Sequence, residues 1–442
     1  MSTVESSRLG TLPKRVMLFP FLFVFLYFFF SSGELLYIQI LIFKPKITHV
    51  FAVLLFGYFW ILTRKIILPR PLFYPFLWIL LSLICSSLFS AHSLRAYGYI
   101  GVYLFNFIFY FLLPLNLFQY FQPAKLLKVY MLSFLCLGLY AVLQVFLSLF
   151  GIYDPLATQS VGSLTRGQAW TYEPSYYALY ITAYVMFKNA WAIFQPRTSF
   201  SMKETWKLLG INCLLLASTS TGLVFSYPAF CAVCLWMTFL RPIRSLASYA
   251  KRRIVKFIAF CCVFTGILAY FFWNLLVQSF FKFFYFGFMT HFSFHARWQG
   301  LISSFNVFLQ NPFFGVGVGG VGPYIFKETS FYETNPEMLS ELESCDPTNV
   351  STEVLASLGI VGFLGFIFLA IVFYRIFKSV IVSSQISQQD KLVSIALFIS
   401  LIVLLIVLQF NQGLFRPCIW IHAGVVYGYL HRLQSSSCSS VN

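Results

Sequence analysis

Arg95, Arg166, Glu173, Arg297 and Arg416 stand near the ends of apolar runs in a chain of 442 residues that is only 10% charged. Ionised groups beside apolar spans are costly and tend to be kept for function. Segmentation by hydropathy puts all five on one face, although they come from widely separated parts of the chain. Four permanently charged guanidinium groups make that face a binder of anions, and Glu173 is the carboxylate among them. Arg297 lies in His295-Ala296-Arg297-Trp298-Gln299-Gly300, ahead of Asn311-Pro312-Phe313-Phe314-Gly315-Val316-Gly317. Asn349 follows, ten residues before the first glycine of Gly359-Ile360-Val361-Gly362. A glycine-rich stretch alone is a weak signal, and no Lys-Ser/Thr follows to make a phosphate loop. Arg166 and Glu173 share the segment Thr165 to Ser175, where Pro174 suits the first turn of a helix and Glu173 faces the positive end of its dipole. The plainer alternatives are that Arg166 pairs with Glu173 and that Arg95 snorkels to lipid headgroups.

The elements that position these residues are membrane helices. The chain is 59% hydrophobic, with a mean hydropathy of +0.80, against about 25% charged residues in soluble domains. Spans of about twenty apolar residues fall at 17–42, 47–62, 72–89, 98–118, 129–150, 172–192, 207–220, 222–240, 257–277, 354–374, 392–410 and 417–430. With the N-terminus inside, 22 of the 30 Lys and Arg residues lie on the inner side, a strong positive-inside asymmetry. The net charge of +17 therefore orients the protein in a lipid bilayer, and no nucleic-acid partner is called for. The first apolar run is too long for a cleaved signal peptide. Most of the ten Cys fall in apolar spans, and the Cys231/Cys234 pair reads as small buried side chains. No metal-ligand spacing is present.

Four segments result: spans one to nine over 1–277, a large outer loop over 278–353, spans ten to twelve over 354–434, and a short Ser-rich disordered tail over 435–442. Leu208 to Leu240 is long for one crossing, and a turn is expected at Ser218-Thr219-Ser220-Thr221-Gly222. Within the loop, Leu301, Ile302, Phe305, Phe308 and Leu309 recur at helical spacing up to Asn311-Pro312, which predicts an amphipathic surface helix carrying Arg297. Glu328 to Asp346 is acidic and Pro-punctuated, as in a lid.

Arg297-Trp298, Asn311-Pro312-x-x-Gly315-Val316-Gly317 and Asn349 before Gly359 together resemble the signature loop of the O-antigen ligase and polymerase superfamily. Glu173-Pro174-Ser175 after Arg166, and the Ser218–Gly222 patch, resemble further landmarks of its polymerase-like members. The resemblance implies an all-α polytopic fold of about twelve transmembrane helices with one large periplasmic loop, similar to the C class of glycosyltransferases. It implies metal-independent, cofactor-free transfer from an undecaprenyl-diphosphate-linked glycan donor to a glycan acceptor at the outer face of the bacterial inner membrane. A chain-length regulator or other assembly protein is an implied partner. Arg297 matches an arginine that holds the donor diphosphate, and Arg166 is a looser match. Arg95, Arg416, His291, His295, Gly315, Gly317 and Asn349 complete the expected substrate site.

Ligases of this family carry His immediately before the Asn of the last element, where this chain has Thr348. Thr is no base near neutral pH, which favours a polymerase. Polyprenyl diphosphate is a stable leaving group that needs its charge neutralised, and arginine does this with bidentate contacts. The acceptor hydroxyl needs a base, for which Glu173 is the best-placed carboxylate and His291 or His295 the substitutes. Direct attack inverts the anomeric centre. The alternatives are a ligase passing glycan to lipid A–core, a flippase and a non-catalytic assembly subunit. A flippase should carry charge along a mid-membrane cavity, whereas here charge gathers at the outer rim. The charge asymmetry makes a prediction: a reporter active only outside the cytoplasm should work when fused after Lys327 and fail after Arg253. The reverse pattern would overturn the topology.

Overall fold

The computed structural model describes residues 14–37, 46–90, 93–157, 160–161, 164–195, 201–218, 220–239, 252–257, 259, 292–328, 349–410 and 413–439. They form α1 (Lys14–Phe29), α2 (Ile47–Thr63), α3 (Arg70–Leu88), α4 (Ser93–Tyr120), α5 (Pro123–Ser148), α6 (Pro174–Phe194), α7 (Met202–Leu216) and α8 (Thr221–Phe239). There follow α9 (Phe292–Gln310), α10 (Val321–Glu328), α11 (Val350–Val382), α12 (Gln388–Val407) and α13 (Pro417–Ser439). A two-residue pairing of Ser160–Val161 with Leu164–Thr165 is the only strand structure among the described residues. Local signals explain many of the helix starts. Pro71, Pro123 and Pro174 occupy first turns, where a missing N–H costs nothing. Side chains of Ser201, Asn349 and Ser387 cap α7, α11 and α12, each cap worth about 1 kcal/mol.

Five helices, α3, α4, α5, α11 and α12 with its 3-10 extension to Phe410, are long and apolar enough to cross a bilayer. α6 and α12 pack on each other at the centre, with nearly all of α6 buried. α3, by contrast, leaves Phe73, Tyr74, Trp78, Leu81 and Leu88 exposed along one side, as a lipid-facing helix does. The chain is a helical membrane protein.

Every expected span but the ninth coincides with a described helix, while most of 257–277 lies outside the described residues. Two expectations are corrected. The first span was expected to run to residue 42, but α1 and a 3-10 turn end at Ser32. Gly33 and Glu34 then leave the helix, and Leu35 N–H bonds to Trp170 O. The tail expected to be disordered is helical to Ser439, with the Ser435 and Ser436 hydroxyls bonding back to the carbonyls four residues earlier. The expected turn in 208–240 is present as a break at 217–220 between α7 and α8.

α11 is interrupted at Gly359, whose φ of 64° and ψ of −168° are not helical. In a continuous helix, Ile360 and Val361 N–H would bond to Ala356 and Ser357 O. Here those two amides bond instead to Pro312 and Phe313 O, at 2.8 and 3.3 Å. The two carbonyls they abandon accept from Val316 and Gly317 N–H, at 2.9 and 3.0 Å. Segment 312–317 is thus spliced into the broken helix. α3 adds Ser86 Oγ to Ser357 O and Trp78 Nε1 to Val361 O. Side chains of Val307, Val316, Val321, Ile325 and Ala356 pack a small core beneath the splice.

Two glycines make this possible. A Cβ on Gly359 would stand 2.1 Å from Phe313 O, and one on Gly315 (φ 65°) 2.4 Å from Ala356 O. Gly359→Ala combines a left-handed backbone with a clash against main chain, so it should destabilise the purified protein by several kcal/mol, on the order of the larger single-residue effects. A thermal-unfolding midpoint in detergent lowered by only the amount seen for Gly57→Ala, where an added Cβ meets nothing, would show that the splice is not needed for stability.

Candidate functional site

A cavity of about 220 Å³ opens beside the splice. Its charged and polar walls are Glu34, Lys46, Tyr99, Glu353, Ser357 and Arg416, and Val318, Gly319, Val321 and Gly322 also line it. Val321 and Gly322 begin α10, Glu353 lies in the first turn of α11, and Pro417, also in the wall, begins α13. Three helix N-terminal ends therefore border one space. Each brings the positive end of a dipole, which favours anions, although in α11 the Ser351 and Thr352 amides are taken by Gln409 Oε1 and Asn349 Oδ1 and Pro417 has no N–H. Two cations reinforce that character and two carboxylates oppose it.

Arg416 is held rigidly. Its Nη1 pairs with Glu34 Oε1, and its guanidinium lies 3.3 Å from the centre of the Tyr176 ring. Glu34 Oε2 also accepts from Tyr172 N–H at 3.1 Å, so one carboxylate ties the end of α1 to the approach to α6 and the approach to α13. The loop bearing Arg416 is pinned from beneath by Asn106 Nδ2, which donates to Phe415 O, and by Trp420 Nε1, which donates to Leu414 O. Burial works against the Arg416 charge, yet Glu34 beside it outweighs this, and its pKa is raised above the usual arginine value. Lys46 fares differently. Burial lowers its pKa, Glu34 offsets part of that, and the nearby Arg416 charge adds to the lowering.

The sequence-predicted residues fall into three groups. Arg416 lines the cavity, and Arg95 stands behind its wall, where a Cβ on Gly319 would lie 3.1 Å from Arg95 Nε. Gly315 and Gly317 form the splice, with Gly317 N–H donating to Ser357 O. Asn349 caps α11, its Oδ1 accepting from Thr352 N–H while its Nδ2 donates to Gln409 O. Asn349 therefore orients the turn that carries Glu353. Glu173 is the N-cap position of α6, with Pro174 next, as expected. Its carboxylate accepts from Ser175 Oγ at 2.9 Å, and it precedes by three residues the Tyr176 that stacks on Arg416. Arg166 is drawn to the break between α7 and α8. Its Nε donates to Ser218 O, and Gly167 N–H donates to Ala217 O, so the Arg166 segment and the Ser218–Gly222 patch meet. Arg297 and His295 are in the first turns of α9, their side chains outside the described residues, as is all of His291, Thr348 and the 329–346 lid segment.

α9 matches the expected amphipathic helix, though it begins at Phe292. Gly300, Ser303, Ser304 and Val307 face inward, while Trp298, Ile302, Phe305 and Leu309 remain exposed as an apolar stripe. That stripe suits a helix lying in a membrane interface.

Glu34, Lys46, Tyr99, Tyr176, Glu353 and Ser357 are the site residues that sequence reasoning passed over. Glu34 was hidden inside an overlong first span, and Lys46 among the charges that set orientation. The spacing of Glu353 and Ser357, one turn apart after Asn349, was the signal available for the other pair.

Together, the bundle and the site define a polytopic membrane protein with a cation-lined cavity bordered by helix N-termini. Residues 207–367 match the O-antigen ligase family model, a match that supports a relationship to the O-antigen ligase and polymerase superfamily, whose members are glycosyltransferase-like enzymes. The match takes in the splice, Val318 to Gly322, Glu353 and Ser357, and leaves Glu34, Lys46 and Arg416 outside it. No curated protein matches the chain.

The lowered Lys46 pKa gives a pH prediction. Binding of an anion such as inorganic pyrophosphate should weaken as pH rises through a value below the ordinary lysine range of about 10.4, because the cation is lost there. Lys46→Arg, which stays charged, should hold affinity to higher pH. Identical wild-type and variant titration curves would remove Lys46 from the anion site.

Proposed function

We propose that this protein is a polymerase of lipid-linked glycan repeat units, transferring a glycan from an undecaprenyl-diphosphate donor to the growing acceptor chain at the outer face of the inner membrane. The observation that carries this reading is the cavity. Arg416, Lys46 and three helix starts converge on a space suited to a diphosphate, and the region that builds one wall matches the O-antigen ligase family. Stabilising developing charge is often the largest catalytic term, and Arg416, fixed by its buried ion pair with Glu34, can supply it without reorganising. Arg95 backs this wall. Arg297, on the helix leading into the splice, is the further arginine assigned to the donor phosphates, and His291, His295 and Arg166 are assigned to substrate contacts at the same face. Attack by the acceptor hydroxyl on the anomeric carbon then inverts that centre.

The ligase reading differs in its acceptor, lipid A–core. Thr348, in place of the ligase histidine, favours polymerisation. A gene deletion separates the two on a gel of the surface glycan. Loss of a polymerase leaves a single repeat on the core, and loss of a ligase leaves free lipid-linked polymer with bare core.

Arg297→Ala should abolish chain growth in a protein that is normally expressed and inserted, and Arg297→Lys should restore it poorly, because a point charge cannot reproduce the bidentate fork. Glycan of normal length from well-expressed Arg297→Ala protein would take Arg297 out of the site. Arg416 is a poorer choice for this test, since removing one partner of a buried ion pair costs about 3–5 kcal/mol of stability.

A further inference from the structure

The cavity has a second, differently built side. Ser357 is 2% exposed, lines the cavity, and its Oγ has no hydrogen-bond partner among the described residues. A buried hydroxyl in that state leaves a donor and two acceptor positions for something that enters the space. Glu353 lines the same wall one helical turn earlier, at i and i+4 on one face of α11, with its Oε2 buried. The main chain around this pair is immobilised from both ends. Asn349 caps the turn below it, and the Ser357 carbonyl is gripped by Gly317 N–H and Ser86 Oγ. A hydroxyl and a carboxylate at fixed spacing, in a cavity that also holds Arg416 and Lys46, match a sugar hydroxyl approaching an anionic leaving group.

The geometry points to an acceptor-hydroxyl subsite formed by Glu353 and Ser357, with Glu353 as the group that takes the acceptor proton. This rests on the glycosyl-transfer reading above and names the side of the site that the reading left open. Ser357 Oγ orients the acceptor hydroxyl or its neighbour. The acceptor oxygen forms its bond to the donor anomeric carbon while its proton passes to the Glu353 carboxylate. The bond from that carbon to the diphosphate oxygen breaks, and the diphosphate leaves with the electron pair towards Arg416 and Lys46. Glu353 then returns the proton to water or to the departing diphosphate, so that charge and atoms balance over one turnover. Glu173 bonds to Ser175 and is not among the residues of the cavity wall, which is why the proton is assigned to Glu353.

The test uses purified full-length protein in liposomes, with an undecaprenyl-diphosphate-linked oligosaccharide as both donor and acceptor. Chain growth and released undecaprenyl diphosphate are measured across pH, and binding of undecaprenyl diphosphate is measured separately. Glu353→Gln should slow transfer by about 100-fold or more and remove the acid limb of the pH profile, while undecaprenyl diphosphate still binds. Glu353→Asp should restore part of the rate, and Ser357→Ala should raise the KM for acceptor more than it lowers kcat. Glu353→Gln protein that transfers at the wild-type rate, or that keeps the acid limb, overturns the assignment and leaves the glycosyl-transfer reading standing. Equal loss of binding and transfer overturns it too, since Glu353 would then serve the donor or the fold. Wild-type protein that releases no undecaprenyl diphosphate sinks both readings together.

Discussion

A helix that gives up two of its own hydrogen bonds in a buried, apolar setting must find others, because an unsatisfied buried backbone group costs about 1–3 kcal/mol. In α11 segment 312–317 supplies the replacements. Ile360 and Val361 N–H go to Pro312 and Phe313 O, and Ala356 and Ser357 O receive Val316 and Gly317 N–H. Everything that the site needs from this half of the molecule follows from that exchange. It fixes segment 312–317 against α11, so that Val318 to Gly322 emerge as a cavity wall and α10 starts where it does. It also fixes the upper turn of α11, so that Glu353 and Ser357 face the same space. The glycines on both sides of the exchange are required by approach distances of 2.1 to 2.4 Å, which no side chain tolerates.

The other half of the cavity is organised by charge. Glu34 neutralises Arg416 and takes Tyr172 N–H, so the ends of three otherwise separate stretches of chain are held to one carboxylate. With Arg416 stacked on Tyr176, a cation is kept in place in a poorly solvated setting before any anion arrives. The neighbouring Lys46 bears the consequence, its pKa pushed down by burial and, despite Glu34, by the charge of Arg416. A strong fixed cation and a weaker titratable one together give the site both permanence and pH dependence.

Much of this was legible in the residue order. Apolar run lengths located the helices, Asn311-Pro312 ended α9, and Glu173-Pro174 began α6, each because a local rule acts alone there. The glycine motifs at 311–317 and 359–362 stood out by spacing, but only the fold shows that they bond to each other across some forty residues. Asn349, expected to contact substrate, acts on the site through the helix it caps. Glu34 and Lys46 escaped notice for opposite reasons. Hydropathy carried the first helix past Glu34 to residue 42, whereas Ser31, Ser32 and Gly33 in fact end it. Lys46 was one basic residue among many whose placement had a sufficient explanation in topology. Long-range ion pairs leave no periodic trace in a sequence, so a site assembled from residues 34, 46, 353 and 416 could be approached from one arginine but not completed.

The division of the cavity bears on why one scaffold serves two related reactions. Its cationic side is made from Glu34, Lys46 and Arg416, and in the proposed reaction it would meet the donor diphosphate whatever glycan is attached. Its other side, Gly319, Val321 and Gly322 with Glu353 and Ser357, lies within the family-matched region and is the side proposed to meet the attacking hydroxyl. On the proposed reading a ligase and a polymerase share the leaving group and differ in the attacking hydroxyl, so the difference between them belongs on the second side. Thr348, where ligases have histidine, immediately precedes the Asn349 cap of the helix that forms this side. Losing a base at Thr348 is then compatible with transfer if the next turn of the same helix carries another, and Glu353 is the carboxylate on that turn.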